Sequence, residues 1–347
     1  MDQVRENKER LFYIDLIRIL ACLTVIYNHT NENGFYHYMS ESVESPIWMW
    51  DTLLAIICKV GVPLFYMISG AMLFGKSESI RQTYKRIPRI AVDLIIFSLL
   101  SMCLDSVHWH ERIDVADMLI RTLTESYRHL WFLYSYIAFI VALPILRCID
   151  FNRLTNKLCI YLFIVSFIIL CVKPIVSQFV IAVNPELFPS WLTGYTVIYP
   201  IMGYIINDRI NIQHRRFVVG GCILCIILLV FNVFIEKMYI ADYPQNISDE
   251  TFLRVFVFVY ASVIFADVKI LFGGDHNERL GIVIHEMGKC TFGVYLIHFI
   301  LLRLWFYKFK GIFGNHPGVL ISCIIVYAFS TVLVFAARRI PVVKKLL

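Results

Sequence analysis

The sequence predicts an all-α, polytopic membrane helix bundle of about ten transmembrane helices, with both termini in the cytoplasm. Composition comes first. Hydrophobic residues make up 59% of the 347 residues and charged residues only 17%, against roughly 45–50% and 25% in soluble globular chains. The mean hydropathy is +0.69. Second, the apolar residues gather into runs of about 20, the length that carries an α-helix across a hydrocarbon core. Such runs are too long and too evenly apolar for barrel strands, so helices are the expected spanning structure. Third, Lys and Arg are distributed unevenly between alternate connections, which fixes the orientation.

Ten candidate spans lie near 11–30, 48–74, 88–107, 129–149, 154–175, 190–206, 215–235, 251–267, 288–309 and 317–337. The first follows a basic N-terminus and has no small-residue cleavage site after its apolar run, so it does not read as a cleaved signal peptide. The second is long and carries Gly61 and Pro63, which predict a kink or break. Between the third and fourth, "DVADMLIRTL" at 114–123 spaces its apolar residues for a short interfacial helix. No repeat, low-complexity tract or large soluble stretch interrupts the chain. A single membrane domain over 1–347, without a separate soluble domain, is the expectation.

Of the 32 Lys and Arg residues, 21 fall in the connections on the side of the N-terminus and 7 on the other. This threefold bias puts the first set in the cytoplasm, with an even number of spans. The net charge of +6 is then largely topogenic, and nucleic acid is not an expected partner. The ten cysteines lie mostly inside apolar runs, so no disulfide framework is expected. The histidines are scattered without a recognisable ligand spacing, and no metal is expected.

The chemistry-bearing residues are those that a bilayer disfavours. The first span, "FYIDLIRILACLTVIYNHT", holds Asp15, Arg18 and His29. Eleven residues at about 100° each return the chain to within about 20° of its starting direction, so Arg18 and His29 share one face, about 16 Å apart along the axis. Asp15, three residues before Arg18, stands at a pairing distance. Two readings fit: a neutralised pair with a histidine at the water boundary, or a face lining a polar cavity, since intramembrane ionisable groups are functional candidates and histidine suits general-base work. In "VGVPLFYMISGAMLFGK", 60–76, Gly61, Ser69 and Gly70 permit close helix approach. The loop after it holds Lys85, Arg86 and Arg89, either as topogenic charge or as a phosphate site, because guanidinium forks match phosphate. His129 and Trp131 begin the fourth span as interfacial anchors or as a substrate mouth. Tyr295, His298 and Arg303 lie inside the ninth.

Taken in order, these segments resemble the integral-membrane acyltransferase 3 family. Its first helix carries a basic residue, ten intervening residues and a histidine, here Arg18 and His29. "VPLFYMISG" at 62–70, the R-x-x-R of Arg86 and Arg89, "HLWFL" at 129–133 and "YLIH" at 295–298 also fit, from the first helix to the ninth. The chain looks most like the short, stand-alone O-acetyltransferases of surface polysaccharides. It is also similar to the membrane domain of membrane-bound serine racemases.

The resemblance implies acyl transfer from cytoplasmic acyl-coenzyme A, with acetyl-coenzyme A as cosubstrate, to a hydroxyl of an extracytoplasmic or lipid-linked glycan at a bacterial cytoplasmic membrane. Arg86, Arg89 and Lys85 would hold the phosphates of the donor. His29 would accept the proton of the hydroxyl, and Arg18 would stabilise developing negative charge or position the donor. Asp15, His129, Trp131, Tyr295 and His298 are the candidate substrate contacts. The rival is a transport or delivery domain for a small solute such as serine, as ten helices with buried Arg, His and Asp would also suit.

Overall fold

The computed structural model describes residues 2–109, 114–149, 153–184, 194–211, 213, 215–243, 250, 252–274, 276–313 and 316–346. Of the described residues 83% are helical, and none of them lies in a strand. The helices are α1 (Asp2–Asn28), α2 (Pro46–Cys58), α3 (Gly61–Leu73), α4 (Ile80–Tyr84), α5 (Arg86–Trp109), α6 (Val115–Thr124), α7 (Trp131–Leu146), α8 (Asn156–Phe167), α9 (Lys173–Phe179), α10 (Ile198–Arg209), α11 (Arg216–Asp242), α12 (Val257–Phe272), α13 (Glu278–Phe313), α14 (His316–Ala337) and α15 (Pro341–Leu346).

Among the described residues, eight segments are long and apolar enough to cross a membrane. They correspond to eight of the ten expected spans. The other two are α1 and α10. The first has the length but carries Asp15 and Arg18 in its apolar half. The second is 12 residues long, about 18 Å of helix, short of a hydrocarbon core of about 30 Å.

Local sequence sets the helix boundaries. Ser45 caps α2 by accepting from the Ile47 amide, with Pro46 at the first position, where its missing N–H costs nothing. Ser79 and Gln82 form a reciprocal capping box on α4. Asp114 accepts from the amides of Ala116 and Asp117 and so starts the short α6 expected at 114–123. That helix buries Met118 and Thr122 and leaves Leu119, Ile120 and Leu123 outward. The break expected in the second span falls at Lys59–Val60, between α2 and α3. Pro63 sits in the first turn of α3, where it is tolerated. A π-helical stretch at Ile168–Val172 joins α8 to α9.

The centre of the bundle is α1, α3, α10, α12 and α13, while α8 and α11 turn most of their apolar surface outward. The crossing of α3 and α10 shows why small residues are needed. A Cβ on Gly70 would fall on the Pro200 backbone, and one on Gly203 on the Met67 backbone. Two helices this close gain the dispersion contacts that drive association where lipid is as apolar as the core. All ten cysteines are free thiols.

Candidate active site

Two cavities lie head to tail along α13. The inner one, about 460 Å³, is lined by Gly288, Lys289, Thr291, Phe292 and Tyr295 of that helix. Its polar wall is Arg18 of α1, Ser69 of α3, Arg86 and Arg89 of α5 and Tyr136 of α7. The outer one, about 510 Å³, is lined further along α13 by Phe299, Arg303, Tyr307 and Lys310 and, from α1 and its continuation, by His29, Thr30 and Asn31. Both volumes suit a bound organic ligand. Tyr295 borders one cavity and Phe299 the other, so one turn of α13, about 6 Å, separates them. Arg18 opens on the inner cavity and His29 on the outer one, which places the shared stripe of the first helix across the same wall.

Three histidines stand in that wall. His29 ends α1, where its own amide bonds the Ile26 carbonyl. Its ring Nδ1 lies 2.7 Å from the Val25 carbonyl. His298 places Nδ1 2.6 Å from the Tyr295 carbonyl and Nε2 3.3 Å from His29 Nδ1. The His129 ring stands edge-on to both, its centroid 5.8 Å from that of His29 and 5.0 Å from that of His298, and stacks on Phe299. Its ring nitrogens make no well-formed hydrogen bond. Among the described residues no group of three His, Cys, Asp or Glu side chains is placed to hold a metal ion.

The chain enters and leaves this cluster through unusual backbone. Among the described residues, Asn31 (φ 50°) and Arg128 (φ 45°) have positive φ without being glycine. One lies two residues after His29 and the other directly before His129. Such conformations cost about 1–3 kcal/mol and persist where the surroundings over-determine them. At Arg128 the surroundings are Asp105 of α5, which takes the Arg128 guanidinium at 3.1 Å, the Arg303 guanidinium and the Tyr127 hydroxyl. The Tyr295 hydroxyl donates to the His129 carbonyl, which ties α13 to the same corner.

The remaining candidates fall in different places. Asp15 is fully buried, with one oxygen 2.5 Å from Arg18 and the other 2.8 Å from His285 Nδ1. A Cβ on Gly288 would strike it. The Asp15 carboxylate therefore holds Arg18 rather than facing either cavity. Arg86 sends Nη2 to Glu78 at 2.7 Å, while its Nη1 is buried without a hydrogen-bond partner. Glu78 also takes Arg147 at 3.1 Å. The Arg86 guanidinium, assisted by Arg147, holds the Glu78 carboxyl at about 2, against a partial burial that pushes the other way. Lys85 is exposed and lines neither cavity. Trp131 is 39% exposed and also lines neither. Elsewhere Glu250 gathers Lys59, Arg254 and the Tyr36 hydroxyl. Burial opposes its charge, but Lys59 and Arg254 outweigh that and hold its carboxyl at about 2.

Sequence reasoning did not single out Glu78, Asp105, Tyr136 or His285. Tyr136 had a local signal, since it follows Phe132 by four residues on the same face of α7. Asp105 and His285 act on residues of distant helices, and Glu78 joins nearby Arg86 to Arg147 at the end of α7.

A helix bundle with two facing cavities and ionisable side chains in the wall between them defines a multi-pass membrane protein with a buried polar site. The model of the acyltransferase domain family, acyltransferase 3, matches residues 11–335, and the chain belongs to that family. Membership indicates membrane acyltransferase activity. No curated protein and no solved structure matches the chain.

Proposed function

We propose that this protein moves an acetyl group from cytoplasmic acetyl-coenzyme A to a hydroxyl of an extracytoplasmic or lipid-linked glycan at a bacterial cytoplasmic membrane. One observation carries the reading: the cavity lined by Arg18, Arg86 and Arg89 and the cavity bordered by His29 lie one turn of α13 apart. The donor enters the inner cavity, with its phosphates toward Arg86 and Arg89 and its thioester toward Tyr295. The acceptor enters the outer cavity, with its hydroxyl at His29. The hydroxyl oxygen attacks the thioester carbon. Its proton passes to His29, the carbon–sulfur bond breaks, and the thiolate leaves with that proton. General-base assistance of this kind contributes roughly 10²–10⁴-fold in rate. Arg18, held by Asp15, stabilises negative charge on the donor side.

The test is purified protein in lipid nanodiscs with labelled acetyl-coenzyme A and a panel of glycan hydroxyls. Thiol release that depends on an acceptor and on His29 supports the reading. Wild-type turnover by correctly inserted His29→Ala and His29→Gln variants overturns it. Binding of free serine or sugar without thioester turnover favours transport instead.

A further inference from the structure

We infer that His298 is a positioning residue that fixes the proton on His29, so that the nitrogen left bare is the one available to the acceptor. The inference rests on the acyl-transfer reading for its catalytic meaning, but its geometry is independent of it. A carbonyl oxygen can only accept a hydrogen bond. The Val25 carbonyl lies 2.7 Å from His29 Nδ1, so that nitrogen carries the hydrogen. The α1 terminus makes this possible, because the His29 amide turns to Ile26 and leaves the Val25 carbonyl to the ring. The Tyr295 carbonyl lies 2.6 Å from His298 Nδ1, so that nitrogen also carries its hydrogen.

A neutral His298 therefore has its lone pair on Nε2. That atom is 3.3 Å from His29 Nδ1 and shares its hydrogen with the Val25 carbonyl. Both rings are locked in one tautomer, and the His29 lone pair is left on Nε2. When the acceptor O–H bond breaks, a bond from hydrogen to His29 Nε2 forms. The resulting cation keeps two acceptors, Val25 and His298, on its opposite nitrogen. The same proton then passes to the departing thiolate sulfur, and His29 returns to the starting tautomer. His129, edge-on to both rings and stacked on Phe299, limits their rotation.

Nitrogen-15 histidine spectra of the wild-type protein in lipid test the tautomers directly. Hydrogen on Nδ1 of both His29 and His298 is the expected result, and hydrogen on Nε2 of either ring overturns the inference. Kinetics give the second test. His298→Gln puts an accepting oxygen near the place of Nε2, whereas His298→Leu fills the space with no acceptor. The expected kcat falls by about 100-fold or more in His298→Leu, with KM for the acyl donor changed less than about threefold. His298→Gln is expected to recover most of the loss, at least about tenfold. Equal loss in both variants, or a loss confined to KM, overturns the positioning role. Wild-type turnover in His298→Leu alongside an inactive His29→Ala sinks this inference alone. Wild-type turnover in His29→Gln sinks the acyl-transfer reading instead.

Discussion

Asp15 and His285 meet at 2.8 Å across 270 positions of sequence, and the second oxygen of the same carboxylate holds Arg18 at 2.5 Å. Asp15 has no exposed surface, and among the described residues Arg18 and His285 are its side-chain partners. Replacing one member of such a buried pair typically costs about 3–5 kcal/mol. Asp15→Asn should lower the unfolding temperature in detergent more than the double variant Asp15→Asn with Arg18→Gln, because the double variant leaves no lone charge. A double variant less stable than the single one would show that Arg18 has another counter-charge.

The α3–α10 crossing should be intolerant of a methyl group. Gly70→Ala and Gly203→Ala each force backbone against backbone, and overpacking of this kind costs about 1–3 kcal/mol or more. Gly220, in the second turn of α11, has nothing within 4 Å of an added Cβ. Gly220→Ala should therefore be neutral or stabilising, by up to about 1 kcal/mol. Thermal unfolding of the three variants checks the contrast, and equal effects would contradict it.

Glu78 predicts a pH dependence. Its carboxyl, ordinarily near 4.5, is held at about 2 by Arg86 and then Arg147. A group whose value is lower in the folded state adds stability above its unfolded value, and that stability is lost as pH falls through the folded one. The wild-type protein should therefore exceed Glu78→Gln in unfolding temperature at pH 7. The margin should shrink between pH 4.5 and 2 and vanish below that. The arginine side chains are partly exposed, so a margin of about 1 kcal/mol is expected. A margin constant with pH would rule the ion pair out as its source.

The two inner arginines should govern the donor and not the acceptor. Charge-assisted hydrogen bonds contribute about 1.5–3 kcal/mol each, and 1.4 kcal/mol is tenfold in affinity. Arg86→Ala with Arg89→Ala should raise KM for acetyl-coenzyme A at least about tenfold, with little change in KM for the acceptor. Lys85→Ala, which touches neither cavity, should leave both values within about twofold. Normal donor affinity in the double variant would remove the phosphates from this face of the protein.

Much of the bundle was legible in the residues. Apolar runs of a membrane's thickness located the spans, the 100° step put Arg18 and His29 on one stripe, and the apolar spacing of 114–123 marked the short helix α6. All are local properties of a helix and survive any arrangement of its neighbours. The site was legible only in part. Arg86 and Arg89 were found with the inner cavity, but Lys85, equally basic and adjacent, points away from it. His129 and Trp131 are two residues apart, yet one is buried in the histidine cluster and the other faces outward. Nothing in the sequence separates such neighbours, because lipid and protein core are almost equally apolar and an outward face carries no polar signature. The pairing of His29 with His298 joins α1 to α13 across 269 positions, and Asp15 finds His285 over a similar distance. Such contacts depend on which faces of these helices pack together, and packing is set by the close approach of small residues and by the need of every buried charge for a partner. Composition and periodicity thus determined a membrane bundle with a polar stripe. The choice of which polar groups meet, and of the single turn of α13 that separates the two cavities, was left to the packing of the helices.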